Sequence, residues 1–76
     1  MAIGNEIAHA AAQAIDKGYA ETSWAAMRNA YFRGGSNDEA WDRLVRAFDA
    51  LGVTAWQDSR QEARGIVIWV CLRPKK

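Results

Sequence analysis

The feature that most constrains the fold of this chain is a change in its hydrophobic period at Gly52. Before this glycine, apolar residues recur every three or four positions, which is the spacing of one face of an α-helix. After it, residues 53–57 alternate between apolar and polar, and residues 66–72 form an apolar run rich in β-branched and aromatic side chains. Both patterns are typical of strands. We therefore expect helices before Gly52 and an antiparallel hairpin after it, with residues 59–63 as the connecting loop.

Three helices are predicted in the first part of the chain. The third has the clearest signal, because Ser36 and Glu39 fit the capping box, in which each side chain bonds the other's free backbone amide, and an apolar stripe continues to Leu51. Amphipathic spacing predicts the first helix over residues 6–17 and the second over residues 23–33. The stripe of the second helix is Trp24, Met27, Ala30, Tyr31 and Phe32. The side chains predicted to be almost fully buried are Trp41, Leu44, Phe48 and Ile68.

The ends of the helices carry separate signals. Asn5 is a candidate N-cap for the first helix, and Thr22 or Ser23 for the second. Gly18 and the glycine pair at 34–35 stand where these two helices should end, because glycine adopts the left-handed conformation that closes a helix. Three helices followed by a C-terminal antiparallel hairpin predict an α+β domain.

Length and composition predict one globular domain over residues 1–76. The chain is 50% hydrophobic and 25% charged, and both values are ordinary for a soluble domain. Its single cysteine, Cys71, cannot form an internal disulfide, which favours a reducing cytoplasmic location. The longest apolar run is much shorter than the roughly 20 residues of a membrane-spanning helix, and the alanine-rich start lacks the basic segment of a signal peptide. We expect a cytoplasmic protein without a membrane partner.

Residue types that carry catalysis or bind metals are scarce in this sequence. His9 is the only histidine and Cys71 the only cysteine, so neither a zinc ligand set nor a Cys–His pair can be assembled. The glycine pair at 34–35 follows a helix and precedes no Lys-Ser/Thr, unlike a phosphate-binding loop. The sequence therefore predicts a protein that is not an enzyme, with no catalytic residue, no metal site and no cofactor.

A hairpin centred on residues 61–62 divides the side chains of its strands between two faces. The face that would cover the helices carries Val53, Ala55, Ile66, Ile68, Val70 and Leu72. The outer face would carry Thr54, Trp56, Val67, Trp69 and Cys71. A shift of one residue in register would bring Trp56 to the helix side. Val67 and Trp69 stay on the other face of their strand from Ile68 in either register.

Two interpretations of the outer tryptophans stay open. Cross-strand aromatic packing can stabilise a small hairpin without any partner. Alternatively, an exposed apolar face is a contact surface for a partner protein or for a second copy. In that case Trp56 and Trp69 are the anchors, with Val67 beside them. Arg60 and Arg64 then form the polar rim of the surface.

The order of three helices and a hairpin resembles that of the winged-helix family. Residues 38–51 stand in the position of the recognition helix, and residues 59–64 in the position of the wing. The resemblance implies that Arg43 and Arg46 would face bases or phosphates in a DNA groove. It also implies that the arginines of the wing, Arg60 among them, would contact the neighbouring sugar–phosphate backbone.

Charge argues against DNA recognition by the third helix. Its exposed side carries four acids and two arginines, a net charge of −2, whereas the DNA groove is strongly negative. The acids are Asp38, Glu39, Asp42 and Asp49. The ion pairs predicted from a spacing of four residues are Glu39–Arg43 and Asp42–Arg46. Arg28 and Arg33 on the second helix could still supply phosphate contacts.

These observations favour a small cytoplasmic protein-interaction module that binds a protein partner; a homodimer stays open, and nucleic acid is the weaker alternative. The formal net charge of +1 gives no overall attraction to nucleic acid or to an anionic membrane. In size and composition the chain is similar to small phage or mobile-element proteins, including the anti-CRISPR inhibitors, which occupy a surface of a host complex. The alternative function is a winged-helix DNA-binding regulator of transcription, and a structural subunit of a larger assembly is a third class.

Overall fold

A computed structural model of the chain describes residues 5–31 and 33–75, with Asn5 described by its backbone alone. The helices are α1 (Asn5–Lys17), α2 (Trp24–Tyr31) and α3 (Asn37–Ala50). The strands are β1 (Ala20–Ser23), β2 (Val53–Glu62) and β3 (Gly65–Pro74). The predicted capping role of the Asn5 side chain and the place of Phe32 in the second helix lie outside the described residues.

The three strands form one antiparallel sheet in the order β1-β3-β2. β2 pairs with β3 from Val53 opposite Pro74 to Glu62 opposite Gly65, without interruption. β1 pairs with the other side of β3, where Ser23 lies opposite Trp69. The described residues therefore form a compact α+β domain of three helices and a three-stranded sheet, with β3 as its central strand.

The prediction of a purely C-terminal hairpin was incomplete, because it missed β1 between the first two helices. This strand has only four residues, Ala20–Ser23, and none of them is fully buried. So short a segment shows no alternation of apolar and polar residues, and it forms a strand because it pairs with the edge of β3 that β2 leaves unpaired. Ser23 also serves the next helix, since its Oγ accepts a hydrogen bond from the Ala26 amide at 3.3 Å.

The predicted loop at residues 59–63 was also wrong, because β2 continues through most of it. The strands are connected by Ala63 and Arg64, so the hairpin is centred two residues later than expected. Gly65 follows this turn with a φ of 121°, a conformation that favours glycine. The polar composition of residues 59–62 indicates exposure on both faces of the hairpin and not a loop.

The division of side chains between the two faces of the hairpin is confirmed. Ala55 lies opposite Leu72 on the face toward the helices, which we call the inner face, and Trp56 lies opposite Cys71 on the outer face. The change in hairpin centre leaves this division intact because it moves the pairing by an even number of residues. The buried core comprises Ile7, Ala11, Ala14, Met27, Ala40, Leu44, Phe48, Val53, Val70 and Leu72.

Half of the core prediction was correct. Leu44 and Phe48 are both 0% exposed. Trp41 is only half-buried, because it packs edge-to-face against Trp24 at the margin of the core, with ring centroids 5.5 Å apart. Ile68 is half-buried as well and its neighbour on the inner face, Ile66, is 70% exposed. The helices therefore cover only the half of the hairpin that is nearest to the end of α3.

The predicted ends of α3 are confirmed. The Ser36 Oγ accepts from the Glu39 amide at 3.1 Å, and the Ser36 amide donates to the Glu39 carboxylate at 3.2 Å. Gly52 closes the helix with a φ of 83°. The second helix is described over Trp24–Tyr31, and Arg33, its predicted last residue, is not helical. None of the helices in the described part of the chain is long and apolar enough to span a bilayer.

Candidate interaction surface

The outer face of the sheet is the candidate functional site. The pairing register places on it Glu21 from β1, Thr54, Trp56, Asp58, Arg60 and Glu62 from β2, and Val67, Trp69, Cys71 and Arg73 from β3. The helices contribute their buried side chains to the opposite face. Of the five predicted binding residues, four lie on the outer face: Trp56, Trp69, Val67 and Arg60. Arg64 is exposed in the turn at the tip of the hairpin.

Arg60 occupies the centre of this face and connects all three strands. Its Nη1 and Nη2 donate to the two carboxylate oxygens of Glu21 on β1, at 2.9 and 2.6 Å. Its Nε donates to Asp58 on its own strand at 2.7 Å. Its guanidinium carbon lies 5.3 Å from the ring centroid of Trp69 on β3. This set, the Arg60 network, holds the short strand β1 against the hairpin.

Cys71 lies beneath the Arg60 network and is 2% exposed, although it belongs to the outer face. The Arg60 Nη2 approaches its sulfur at 3.9 Å. The Tyr19 hydroxyl, just before β1, donates to Glu21 at 2.5 Å. Hydrogen bonding to Cys71 and then to Glu21 raises the pKa of Tyr19 above its ordinary value. The middle of the outer face is therefore an ordered polar layer over a buried thiol.

The network makes one acid-dependent contribution to stability. The hydrogen bonds from Arg60 and then from Tyr19 lower the pKa of Glu21 from 4.5 to about 2. A carboxyl group whose pKa is lower in the folded state stabilises the fold at pH values above its pKa in the unfolded state. This contribution is lost as the pH falls toward the pKa of the folded state. We expect the difference in unfolding free energy between the native chain and Glu21→Gln to be constant above pH 5 and to vanish between pH 4.5 and about 2.

Denaturant unfolding of the two chains at a series of pH values measures this difference. The matched control is Glu6→Gln, which alters a carboxylate on α1 that accepts from Tyr31 at 3.0 Å, far along the chain from Arg60. A Glu21→Gln difference that stays unchanged down to pH 2 would contradict the role given to the Arg60 contact.

The two tryptophans differ in how completely the fold uses them. The Trp69 indole Nε1 donates to Glu62 at 2.9 Å, and Arg60 covers its ring. Both of its interacting groups, the N–H and the ring face, are thus occupied within the chain. Trp69 is half-buried, as is Val67 beside it in the same strand. These contacts agree with cross-strand packing, the first interpretation of the outer tryptophans.

Trp56 lies at the other end of the outer face, beside an open groove. Arg73 stands over its ring at 5.3 Å from the centroid, and the Tyr19 ring is tilted against it at a centroid distance of 6.2 Å. The groove has a volume of about 480 Å³ and is lined by Thr54, Trp56, Arg73, Pro74 and Lys75. We call it the Trp56 groove. Lys75 is held at its margin by Asp49, with 2.5 Å between Nζ and Oδ1.

Among the residues of this surface that escaped the sequence reasoning are Tyr19, Glu21 and Arg73. Tyr19 and Glu21 reach it only through β1, the strand that was missed. Arg73 continues the alternation of Val67, Trp69 and Cys71 along β3, so its position on the outer face follows from the period of two. The predicted outer face ended at Cys71 and so left Arg73 out.

Three residues of the DNA-binding alternative, Arg28, Arg33 and Arg43, lie elsewhere, around the connection between α2 and α3. Arg28 donates to the Gly35 carbonyl at 3.2 Å, and Arg43 to the Gly34 carbonyl at 3.4 Å. Arg43 therefore makes a backbone contact in place of the ion pair predicted with Glu39. The pair between Asp42 and Arg46 is confirmed at 3.1 Å, on the exposed side of α3. Arg33 is exposed next to the glycine pair.

Comparisons with known proteins leave the surface to be interpreted by its own chemistry. No family model, no curated protein and no solved structure matches this chain. Within the described residues, no cluster of three or more His, Cys, Asp or Glu side chains could hold a metal ion. The outer face with its Trp56 groove is therefore the candidate site among the described residues.

Proposed function

We propose that this chain is a non-enzymatic protein-interaction domain that docks a partner on the outer face of its sheet. The Trp56 groove carries the proposal. Tyr19 and Arg73 both contact Trp56 there, beside an open depression. Trp, Tyr and Arg are the residue types most enriched among the side chains that dominate binding energy at protein interfaces. The middle of the face, held by the Arg60 network, supplies a rigid floor beside this groove.

The chemistry of the groove indicates what the partner presents. The ring of Trp56, which lines the groove, favours an apolar or aromatic side chain. Arg73 is exposed and, among the described residues, contacts a ring and no carboxylate. A carboxylate of the partner placed beside the apolar side chain would give Arg73 an ionic contact, and Lys75 lies close enough to add to it. We therefore expect a segment that combines an apolar side chain with an acidic one.

A winged-helix-like architecture is the finer fold that we propose. The early strand β1 supports it, because it converts the expected hairpin into a three-stranded sheet on the edge of a three-helix layer. DNA-binding regulation is the second candidate, favoured by the three arginines around the glycine pair: Arg28, Arg33 and Arg43. The acids of α3 weigh against it, since its first turn holds Asp38 and Glu39. A protein-binding use of this architecture suits these charges better.

In size and composition this chain is similar to small phage inhibitors, including the anti-CRISPR proteins. We therefore propose that its partner is a host protein complex. The proposal is tested by affinity capture from a bacterial lysate treated with nuclease. The native chain is compared with Arg73→Glu, which reverses the charge in the groove without removing a buried side chain. We expect the variant to lose a protein that the native chain captures, because its carboxylate would repel the acidic segment of the partner.

The matched control for this experiment is Ile15→Ala. Ile15 is an exposed apolar residue, 53% accessible, on α1 and therefore on the other side of the sheet. The Ile15→Ala variant should capture the same protein as the native chain. Equal capture by the native chain and by Arg73→Glu would contradict the proposed surface. A nucleic acid that co-purifies without nuclease, and that Arg43→Ala loses, would favour the DNA-binding candidate.

A further inference from the structure

β2 is an edge strand, and its free side has no partner among the described residues. Its ten residues, Val53–Glu62, pair with β3 on one side only. Beyond Ala55 the inner-face side chains of this strand, Gln57, Ser59 and Gln61, are all exposed, because the helices do not extend over this half of the hairpin. The distal part of β2 is therefore open along its edge and on its inner face.

The pattern of backbone hydrogen bonds shows which residues face the open edge. The Lys75 amide donates to the Gly52 carbonyl at 2.9 Å, which makes these two a hydrogen-bonded pair of the antiparallel ladder. Such pairs alternate with non-hydrogen-bonded ones. The even-numbered residues of β2 therefore bond β3, and the N–H and C=O groups of Gln57, Ser59 and Gln61 point away from the sheet.

This edge lacks several of the usual protections against strand pairing. Natural edge strands are blunted by proline, by lysine, by a bulge or by a covering segment. β2 contains neither proline nor lysine, and its pairing with β3 is unbroken. Its charged residues, Asp58, Arg60 and Glu62, alternate in sign along one face. When a second copy of the strand runs in the opposite direction, an acid of one copy can therefore lie opposite Arg60 of the other.

We propose that two copies of this chain pair along β2 in antiparallel orientation, with the two-fold axis at Ser59, and join their sheets into one. In this register Asp58 lies opposite Arg60 of the second copy, and symmetry repeats the pair. Both are non-hydrogen-bonded positions, where cross-strand side chains are closest. On the inner face, Gln57 lies opposite Gln61 of the second copy, and the two amides can bond each other.

Charge distinguishes this register from its neighbours. An axis at Asp58 would place the two Asp58 carboxylates opposite each other. An axis at Arg60 would oppose the two guanidinium groups and set Asp58 against Glu62. An axis at Gln57 gives Asp58 no charge partner, and an axis at Gln61 pairs the turn in place of the strand. The Ser59 register alone keeps seven paired residues within the strand and opposes only unlike charges.

The register is tested with single cysteines in the full chain. Cα atoms of a hydrogen-bonded antiparallel pair lie about 5.5 Å apart, within the range of about 4.4–6.8 Å that a disulfide spans. Ser59→Cys should therefore cross-link to itself in a glutathione redox buffer, at least roughly tenfold more than Gln57→Cys, which faces residue 61 of the second copy. A mixture of Gln57→Cys and Gln61→Cys should give the mixed dimer. Cys71 does not compete, since it is buried.

Sedimentation from micromolar to millimolar concentration tests the association without a cross-link. Ser59→Pro removes one outward N–H and leaves the ladder with β3 intact, so the dimer dissociation constant should rise at least about tenfold. Ser59→Ala keeps the N–H and should match the native chain. A native chain that stays monomeric at millimolar concentration overturns the proposal. Equal cross-linking of all three cysteine variants overturns it too, and that result stands even if the proline variant does not fold.

This dimer is independent of the partner that we propose for the outer face. The two-fold axis is perpendicular to the sheet, so the outer faces of both copies lie on the same side. Each Trp56 groove lies on that face, with Glu62 of the second copy opposite Trp56 at its margin. Arg73→Glu should abolish partner capture without changing the dimer, and Ser59→Pro should do the reverse. A bivalent partner would bind the dimer more tightly than the monomer through its effective concentration at the second groove.

Discussion

Phe48→Ala is expected to remove most of the stability of this domain. The Phe48 side chain is 0% exposed and belongs to the core in which α3 meets the sheet, beside Leu44 and Val53. Truncation of a buried phenylalanine costs about 3–5 kcal/mol through lost burial and the cavity that remains. A domain of this length has a total unfolding free energy of only about 4–11 kcal/mol. We expect the variant to be largely unfolded at 37 °C or close to it.

Urea unfolding, followed by tryptophan fluorescence and by circular dichroism, measures this loss. Ile66→Ala is the matched control, since Ile66 is an apolar residue that is 70% exposed at the distal part of the hairpin. It should change the unfolding free energy by less than about 0.5 kcal/mol. An unfolding midpoint for Phe48→Ala that equals that of the native chain would show that the core has been assigned wrongly.

Trp69→Ala is expected to give the largest loss of stability on the outer face. Trp69 stands on the central strand, its Nε1 donates to Glu62 at 2.9 Å, and its ring supports the Arg60 guanidinium at 5.3 Å. Because the ring is half-buried and not enclosed in the core, we expect a cost of about 2–3 kcal/mol, below that of a fully buried tryptophan. The loss should be visible in the same urea experiment.

Trp69→Phe separates the two contributions of this side chain. The phenyl ring keeps a face for Arg60 but has no N–H for Glu62, so the cost should be about 0.5–1.5 kcal/mol. A cost for Trp69→Ala below about 0.5 kcal/mol, with an unchanged ability to bind the partner, would remove Trp69 from both interpretations of the outer face. A large loss of partner binding by a stably folded Trp69→Phe would make Trp69 an anchor beside Trp56.

Sequence patterns predicted the parts of the fold that local chemistry decides. The capping box of Ser36 and Glu39 marks the start of α3, and Gly52 marks its end, because both act within one or two turns of the chain. The alternation of side chains along β3 predicted which residues share the face of Trp69. That result did not depend on the exact position of the turn, since a period of two survives any even shift in register.

Features that depend on distant partners were not predictable in this way. β1 has the sequence Ala-Glu-Thr-Ser, which carries no strand signal, and it is formed by pairing with β3 far along the chain. The burial of Ile68 was overestimated because the pattern of a strand does not show how far the helices extend across it. The contact of Arg60 with Glu21 joins residues from opposite halves of the chain, so the centre of the outer face was hidden as well.

The central position of β3 has a consequence for how this protein can change during evolution. Its even-numbered residues, such as Val70 and Leu72, belong to the core, and its odd-numbered residues, such as Trp69 and Arg73, belong to the outer face. A lineage can therefore exchange an exposed odd position such as Arg73 to acquire a new partner while the core is inherited unchanged. The insertion or deletion of one residue in this strand would instead exchange the two sets and lose the core and the binding surface together.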